Sequence, residues 1–225
     1  MRGQALIKAL LDALYPPKCA FCRKILEKEE SGICGACRAK LPFIPKEAQG
    51  RSFGEGPGDR GGVCFSPLTY DPFVRESFLR YKFSGLVSYA APYAGLMADC
   101  IRDRAQAFDL VTWVPLSRRR LRRRGYDQAE LLAKGIAAVL GLDAVQLLYK
   151  NKDTQAQSRT ESAAERSRNV RGAYALKGTP DLRGKHILLV DDIITTGATL
   201  SECRAVLLRS GAAEVSAVTL ARAEN

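Results

Sequence analysis

The chain has 225 residues, 46% of them hydrophobic, and a formal net charge of +11, with an isoelectric point of about 9.5. This length allows a sizeable core plus a small extra module, and the charge favours acidic partners such as phosphorylated metabolites, nucleic acid or anionic surfaces without choosing among them. No apolar stretch reaches the roughly 18–20 residues of a transmembrane helix, and the single histidine, His186, leaves little for Ser–His–Asp or Cys–His catalysis and excludes histidine-rich metal sites.

The N-terminal MRGQALIKALLDALYPPKC reads as a short amphipathic helix ended by Pro16-Pro17. Its apolar run is broken by Asp12 and no small-residue cleavage site follows, so a signal peptide is the poorer reading and a cytoplasmic location is expected. Cys19-Ala-Phe-Cys22 and Cys34-Gly-Ala-Cys37 then follow in the spacing C-x2-C-x11-C-x2-C. Each pair sets two thiolates on one tight turn, and two such turns make a tetrahedral four-cysteine site for Zn²⁺. With all four positions filled by protein, the metal's role is structural, and binding of this kind contributes on the order of 10–16 kcal/mol to folding. Two disulfides are the alternative and would require an oxidising compartment. Cys64, Cys100 and Cys203 are isolated and read as buried, inert thiols. The helix and zinc module are expected over 1–45, a linker over 46–62 (KEAQGRSFGEGPGDRGG) and a second domain over 63–225.

In the second domain, Val63–Tyr70 suits a strand and Val74–Phe83 a short helix. Tyr89–Arg104 suits a helix with Leu96, Met97, Cys100 and Ile101 inward. Leu110–Val114 is a buried strand that holds the only tryptophan, Trp113. Six arginines follow in Pro115–Gly125, and the next helix is capped by Asp127, with Glu130 completing a capping box; it ends at Gly141. Ala144–Tyr149 is a further strand, and Lys150–Arg171 reads as an exposed helix and loop or as a mobile lid carrying basic groups. His186–Val190 and Val215–Leu220 are strands flanking a helix that runs to about Arg209. Alternating strands and helices predict an α/β fold with a mainly parallel sheet.

The segment Ile187–Thr199, ILLVDDIITTGAT, carries the most chemistry. Four apolar residues suit a strand buried on both faces, and Asp191 and Asp192 fall at its carboxyl end, where ligands bind in parallel sheets. The loop Thr195-Thr196-Gly197-Ala198-Thr199 opens a helix whose free N–H groups and positive dipole end favour a phosphate. The acids would repel a phosphate and suit the hydroxyls of an attached sugar, or Mg²⁺. Together the parts describe a pocket for a ribose 5-phosphate. The arginine run has three readings: a solvated loop, a nucleic-acid patch through Arg119, Arg120, Arg122, Arg123 and Arg124, or a pyrophosphate clamp in the same pocket.

The motif resembles the phosphoribosyl-pyrophosphate (PRPP) motif of type I phosphoribosyltransferases. Along nearly its full length the chain resembles the ComF family, phosphoribosyltransferase-like proteins associated with DNA uptake. That resemblance rests on LYPPKCAFC with the second CxxC, VPLSRRRLRRRGYDQAELLA, Thr154-Gln155-Ala156-Gln157 followed by ERSRNVRGAY, and the PRPP motif. Tyr126-Asp127-Gln128 departs from the family's frequent Phe-Asn-Gln. The resemblance implies a type I phosphoribosyltransferase-like mainly parallel sheet flanked by helices. It also implies that Asp191 and Asp192 bind the ribose hydroxyls, that Thr195 to Thr199 hold the 5-phosphate, and that Leu116-Ser117-Arg118 forms the pyrophosphate loop. Mg²⁺, Arg118 and Lys150 would neutralise the leaving pyrophosphate. The acceptor would meet a hood made of the zinc module and residues 63–90, in which nothing spells a nucleobase pocket. The expected activity is phosphoribosyl transfer to an unidentified acceptor. The rival is a non-catalytic protein that handles single-stranded DNA beside uptake or recombination proteins, with PRPP at most regulatory; a PRPP sensor is the third reading.

Overall fold

The computed structural model describes residues 16–54, 61–152 and 169–224. The predicted N-terminal helix, the centre of the predicted linker and most of Lys150–Arg171 lie outside these residues. The central sheet contains β1 (Gly50–Phe53), β2 (Gly62–Phe65), β3 (Leu68–Thr69), β4 (Leu110–Trp113), β7 (His186–Ile194) and β8 (Glu214–Arg222). Its order is β1-β2-β8-β7-β4, with β3 also on β8. Every pairing is parallel except β1 with β2. Two shorter strands, β5 (Leu148–Lys150) and β6 (Tyr174–Leu176), pair antiparallel beside it.

The sheet is covered on both faces, as its apolar strands require. Along β7 the side chains alternate: Leu188 and Val190 enter one core, Ile187 and Leu189 the other. The first core holds the helices α2 (Pro72–Phe83), α3 (Ala90–Ile101) and α5 (Gln128–Leu140), together with the cysteine module and its helix α1 (Gly35–Lys40). The second holds α6 (Ala198–Arg209) and the β5–β6 pair. The cysteine module docks on α2. Ser77 Oγ donates to the Ala20 carbonyl (2.6 Å), Arg80 Nη2 donates to the Phe21 carbonyl, and the Phe21 ring stacks on Phe73 at 5.4 Å.

Several elements differ from the sequence expectation. The stretch read as a linker contains β1, whose Phe53 is buried; one large apolar side chain in a polar run is too little pattern to betray a strand whose partner lies further along the chain. The strand expected over Val63–Tyr70 is broken at Ser66-Pro67, because proline has no N–H for the ladder, and β3 resumes pairing further along β8. The strand expected over Ala144–Tyr149 meets β4 through a bridge at Ala144 and the Leu147 N–H, which donates to Thr112 Oγ1 (3.3 Å), and β5 turns away to pair with β6. The arginine run is a helix, α4 (Arg118–Arg124), not a loop. Arginine is a good helix former, the Ser117 side chain accepts from Arg120 N–H, and Gly125 closes the helix at φ 81°.

Candidate functional site

At the carboxyl edge of β4 and β7 the chain encloses a cavity of about 420 Å³. The strand β7 does not stop at Val190 as expected. It runs through both acids, and Asp191, Ile193 and Ile194 pair with Thr219, Ala221 and Arg222 of β8. The acids therefore sit on a hydrogen-bonded strand end, not on a loose turn. Each also accepts from the next backbone N–H: Asp191 Oδ1 from Asp192 (2.8 Å) and Asp192 Oδ1 from Ile193 (2.7 Å).

The loop Thr195-Thr196-Gly197-Ala198-Thr199 follows directly. Gly197 is the N-cap of α6 at φ 76° and offers no side-chain acceptor; Ala198 N–H reaches the Thr196 hydroxyl at 3.5 Å, and this first turn favours an anion. A Cβ at this position would lie 3.3 Å from Phe53 Cβ. Phe53 of β1 thus floors the loop, and Arg51 Nη1 donates to the Thr195 carbonyl (3.4 Å). The expected linker therefore supports the loop Thr195–Thr199. Thr195, Thr196, Gly197, Ala198 and Thr199 all line the cavity.

The opposite wall is Pro115, Leu116 and Ser117, with Lys150 brought alongside by a parallel bridge between Ser117 and Lys150. Helix α4 divides the arginine run into two faces. Arg120, Arg123 and Arg124, at i, i+3 and i+4, line the cavity. Arg118, Arg119 and Arg122 line, with Tyr149, an adjoining depression that shares Ser117 and Lys150 with the cavity. Arg118 is thus placed outside the cavity it was expected to serve, because the first turn of a helix, not an extended loop, carries it.

Asp127 joins this wall to α5. Its Oδ2 accepts Leu116 N–H (2.8 Å), and its Oδ1 accepts Ala129 N–H (3.1 Å) and Glu130 N–H (3.4 Å). Half of the expected capping box is present, since Glu130 pairs with Lys134 instead. Burial pushes the Asp127 carboxyl up to about 6 even against those three donors. Burial also raises Asp191 well above the usual carboxylate range, and the adjacent Asp192 charge adds to the effect.

Five cationic side chains and three carboxylates line the cavity. One of the cations, Lys82 at the end of α2, carries no signal in the sequence. Its Nζ lies 3.8 Å from Asp192 Oδ2, a contact made only by packing the hood helix over the sheet edge. Gln128, named above only as part of a motif, accepts from Arg124 Nη1 (2.7 Å) and donates to the Lys82 carbonyl (3.3 Å), locking α4, α5 and α2 together. His186 lies at the opposite end of β7, 3.6 Å from Glu214, as a strand-end residue.

The four thiols of Cys19, Cys22, Cys34 and Cys37 come together with all Sγ atoms within 4.8 Å of one another. Tetrahedral zinc with bonds of about 2.3 Å requires Sγ separations of about 3.8 Å, and Cys22 and Cys34 lie 3.7 Å apart. The donor set fits zinc with no open position. Glu30 accepts from Gly35 N–H (2.7 Å) and Glu27 N–H (3.0 Å), bracing the second turn. The other three cysteines are buried, with burial pushing Cys64 up to about 12 and Cys100 to about 11, and Cys203 well above the usual thiol range. These thiols are inert.

A mainly parallel sheet, a phosphate-type loop after paired acids and a docked four-cysteine module define a phosphoribosyltransferase-fold protein with a structural zinc module. A family model of the phosphoribosyl transferase domain matches residues 121–225, and one of the double zinc ribbon domain matches residues 10–66. The DNA utilization protein YhgH of Escherichia coli K12 is 34% identical over 233 residues, covering 92% of this chain and 97% of that protein. Competence protein F of Haemophilus influenzae is 28% identical over 222 residues, covering 92% and 97%. The solved glutamine PRPP amidotransferase from B. subtilis is 25% identical, covering 59% of this chain and 27% of that one, with a TM-score of 0.41. The chain belongs to the ComF family, which includes competence protein F and the YhgH proteins. Among the described residues no helix is long and apolar enough to cross a membrane.

Proposed function

We propose that the protein binds PRPP in the cavity and transfers its phosphoribosyl group, with release of pyrophosphate, to an acceptor yet to be identified. The observation that carries this reading is the meeting, in one cavity, of the β7 acids, the open N-terminus of α6 and a cationic wall of Lys82, Arg120, Arg123, Arg124 and Lys150. The 5-phosphate takes the N–H groups of Thr196 to Thr199 and the Thr hydroxyls. Asp191 and Asp192 accept from the ribose hydroxyls. The pyrophosphate lies along Leu116 and Ser117, facing Arg120 and Lys150. Carboxylate oxygens of this kind suit Mg²⁺, which when bound with PRPP offsets the charge of the pyrophosphate. The acceptor's lone pair forms a bond to the anomeric carbon as the carbon–oxygen bond to pyrophosphate breaks; pyrophosphate departs with that electron pair, and the acceptor's proton passes to the departing pyrophosphate or to solvent. The chain's part is to position the groups and to stabilise the developing negative charge.

The zinc module and the phosphoribosyltransferase-like part are read as the two units of the chain, meeting after residue 45 with β1 contributed to the second. Free thiols and a zinc site suit the cytoplasm. The names of the relatives, competence protein and DNA utilization protein, extend to a role for this chain in DNA uptake.

The transferase reading is tested by Mg²⁺-dependent release of pyrophosphate from PRPP, with water standing in for the acceptor. Slow release that Asp192→Asn abolishes supports it. Tight PRPP binding with no release at any pH would sink transferase chemistry and leave a PRPP sensor. A second reading, single-stranded DNA handling, is favoured by one observation: Arg118, Arg119 and Arg122 line a depression beside the cavity with the exposed Tyr149. Cationic groups beside an exposed ring suit a phosphate backbone with a stacked base, and affinity that falls steeply with salt is its signature. Salt-independent binding, or none, in filter assays with an oligonucleotide would remove it.

A further inference from the structure

A second cavity of about 210 Å³ adjoins the first and shares four lining residues with it: Lys82, Phe83, Arg123 and Arg124. Gly85 and Tyr126 complete it. Three cations and two aromatic rings line this space, and no carboxylate does. The Phe83 ring is 61% exposed. A large apolar side chain left this open beside cations suits a flat ligand more than a core role. The Arg124 guanidinium carbon lies 5.2 Å from the Phe83 ring centroid and Lys82 Nζ 5.9 Å from it. The Arg124 Nε is buried without a hydrogen-bond partner among the described residues, an unmet donor in a cationic site.

Lys82 joins the two cavities, since its ammonium also lies 3.8 Å from Asp192. If Asp192 holds the ribose, the space beyond Lys82 adjoins it, and none of Leu116, Ser117 or Thr195 to Thr199 lines that space. We infer that this second cavity is the acceptor subsite, and that its ligand is a flat aromatic ring bearing a carboxylate or phosphate group. The ring stacks on Phe83 and Tyr126, and the anionic group meets the guanidinium forks of Arg123 and Arg124. Uncharged nucleobases lack the group that these cations select. The assignment as an acceptor site rests on the PRPP reading above; the ligand class rests on the second cavity alone.

The test uses the full zinc-loaded chain, titrated by calorimetry with orotate, phenyl phosphate and uracil, each with and without saturating PRPP and Mg²⁺. Orotate and uracil share a ring and differ by a carboxylate. Orotate and phenyl phosphate are expected to bind at least about tenfold more tightly than uracil. Phe83→Ala should weaken both anionic probes about tenfold, and Arg123→Gln should bring orotate close to uracil. Both side chains are exposed, and an unchanged urea midpoint checks that the variants fold. Uracil binding as tightly as orotate, unchanged orotate affinity in both variants, or no binding of either anionic probe at about 10 mM would overturn the inference. The predicted preference in a protein that binds no PRPP would uphold the ligand class and overturn the acceptor role.

Discussion

Asp127 ties the cavity wall to the fold, and its replacement by asparagine has a magnitude that follows from the structure. The side chain is 6% exposed and accepts three backbone N–H groups. Its carboxyl rises from an ordinary 3.8 to about 6 because burial outweighs those donors. A carboxyl held above its unfolded value favours the protonated fold. Its stabilising contribution is therefore complete below 3.8 and is lost as pH rises through about 6. At about 1.4 kcal/mol per pH unit the whole loss is about 3 kcal/mol, of which about 1.5 falls between pH 5 and 7.5. In Asp127→Asn that titration is gone. One oxygen is replaced by an amide donor facing either Leu116 N–H or the start of α5, at a cost of about 1–3 kcal/mol at all pH values. The variant's stability relative to the parent should therefore rise by about 1.5 kcal/mol between pH 5 and pH 7.5. Urea unfolding at intervals between those values, read as the difference between the two proteins, isolates the effect. Zinc release in acid and the titration of Asp191 act on both alike. Parallel stability curves across this range would refute the argument that Asp127 is buried and raised.

The division of α4 into two faces predicts that Arg120→Gln weakens PRPP binding at least about tenfold while Arg119→Gln changes it less than about twofold, by calorimetry; equal effects would contradict the geometry. Gly197→Ala places a side chain at φ 76° and 3.3 Å from Phe53, so a lower urea midpoint equivalent to about 1–2 kcal/mol and weakened PRPP binding are expected. An unaltered midpoint would show that the loop relaxes freely. Cys34→Ser should abolish stoichiometric zinc by atomic emission and expose the module to limited proteolysis, because the docking of Phe21 on α2 depends on the folded turn. Retention of one zinc per chain would contradict the four-cysteine assignment.

The parts of this fold legible in the sequence are those whose signals are local. Ile187–Val190 reads as a strand buried on both faces because nothing polar interrupts it, and Gly141 ends α5 where a left-handed residue is needed. The paired CxxC turns predict their own convergence. What escapes is set by partners distant in the chain. Asp191 and Asp192 read as the point where the strand ends, since acids disfavour strands, but pairing with β8 overrides that propensity and extends β7 to Ile194. Phe53 gives no periodicity, so its strand is visible only once β2 is beside it. Lys82 reads as a cation at a helix end and becomes part of the cavity only because α2 crosses over the end of β7. The split of the arginine run follows from helical spacing, and it was hidden by reading those residues as a loop.

The central claim is that the β7 acids and the α6 N-terminus form one sugar-phosphate site. It is tested most directly by calorimetric titration of the zinc-loaded protein with PRPP and Mg²⁺, alongside Asp192→Asn. Saturable binding with about one site per chain, lost in the variant while its zinc content and urea midpoint are retained, is the predicted result. No heat at millimolar PRPP, or equal affinity in the variant, would contradict it.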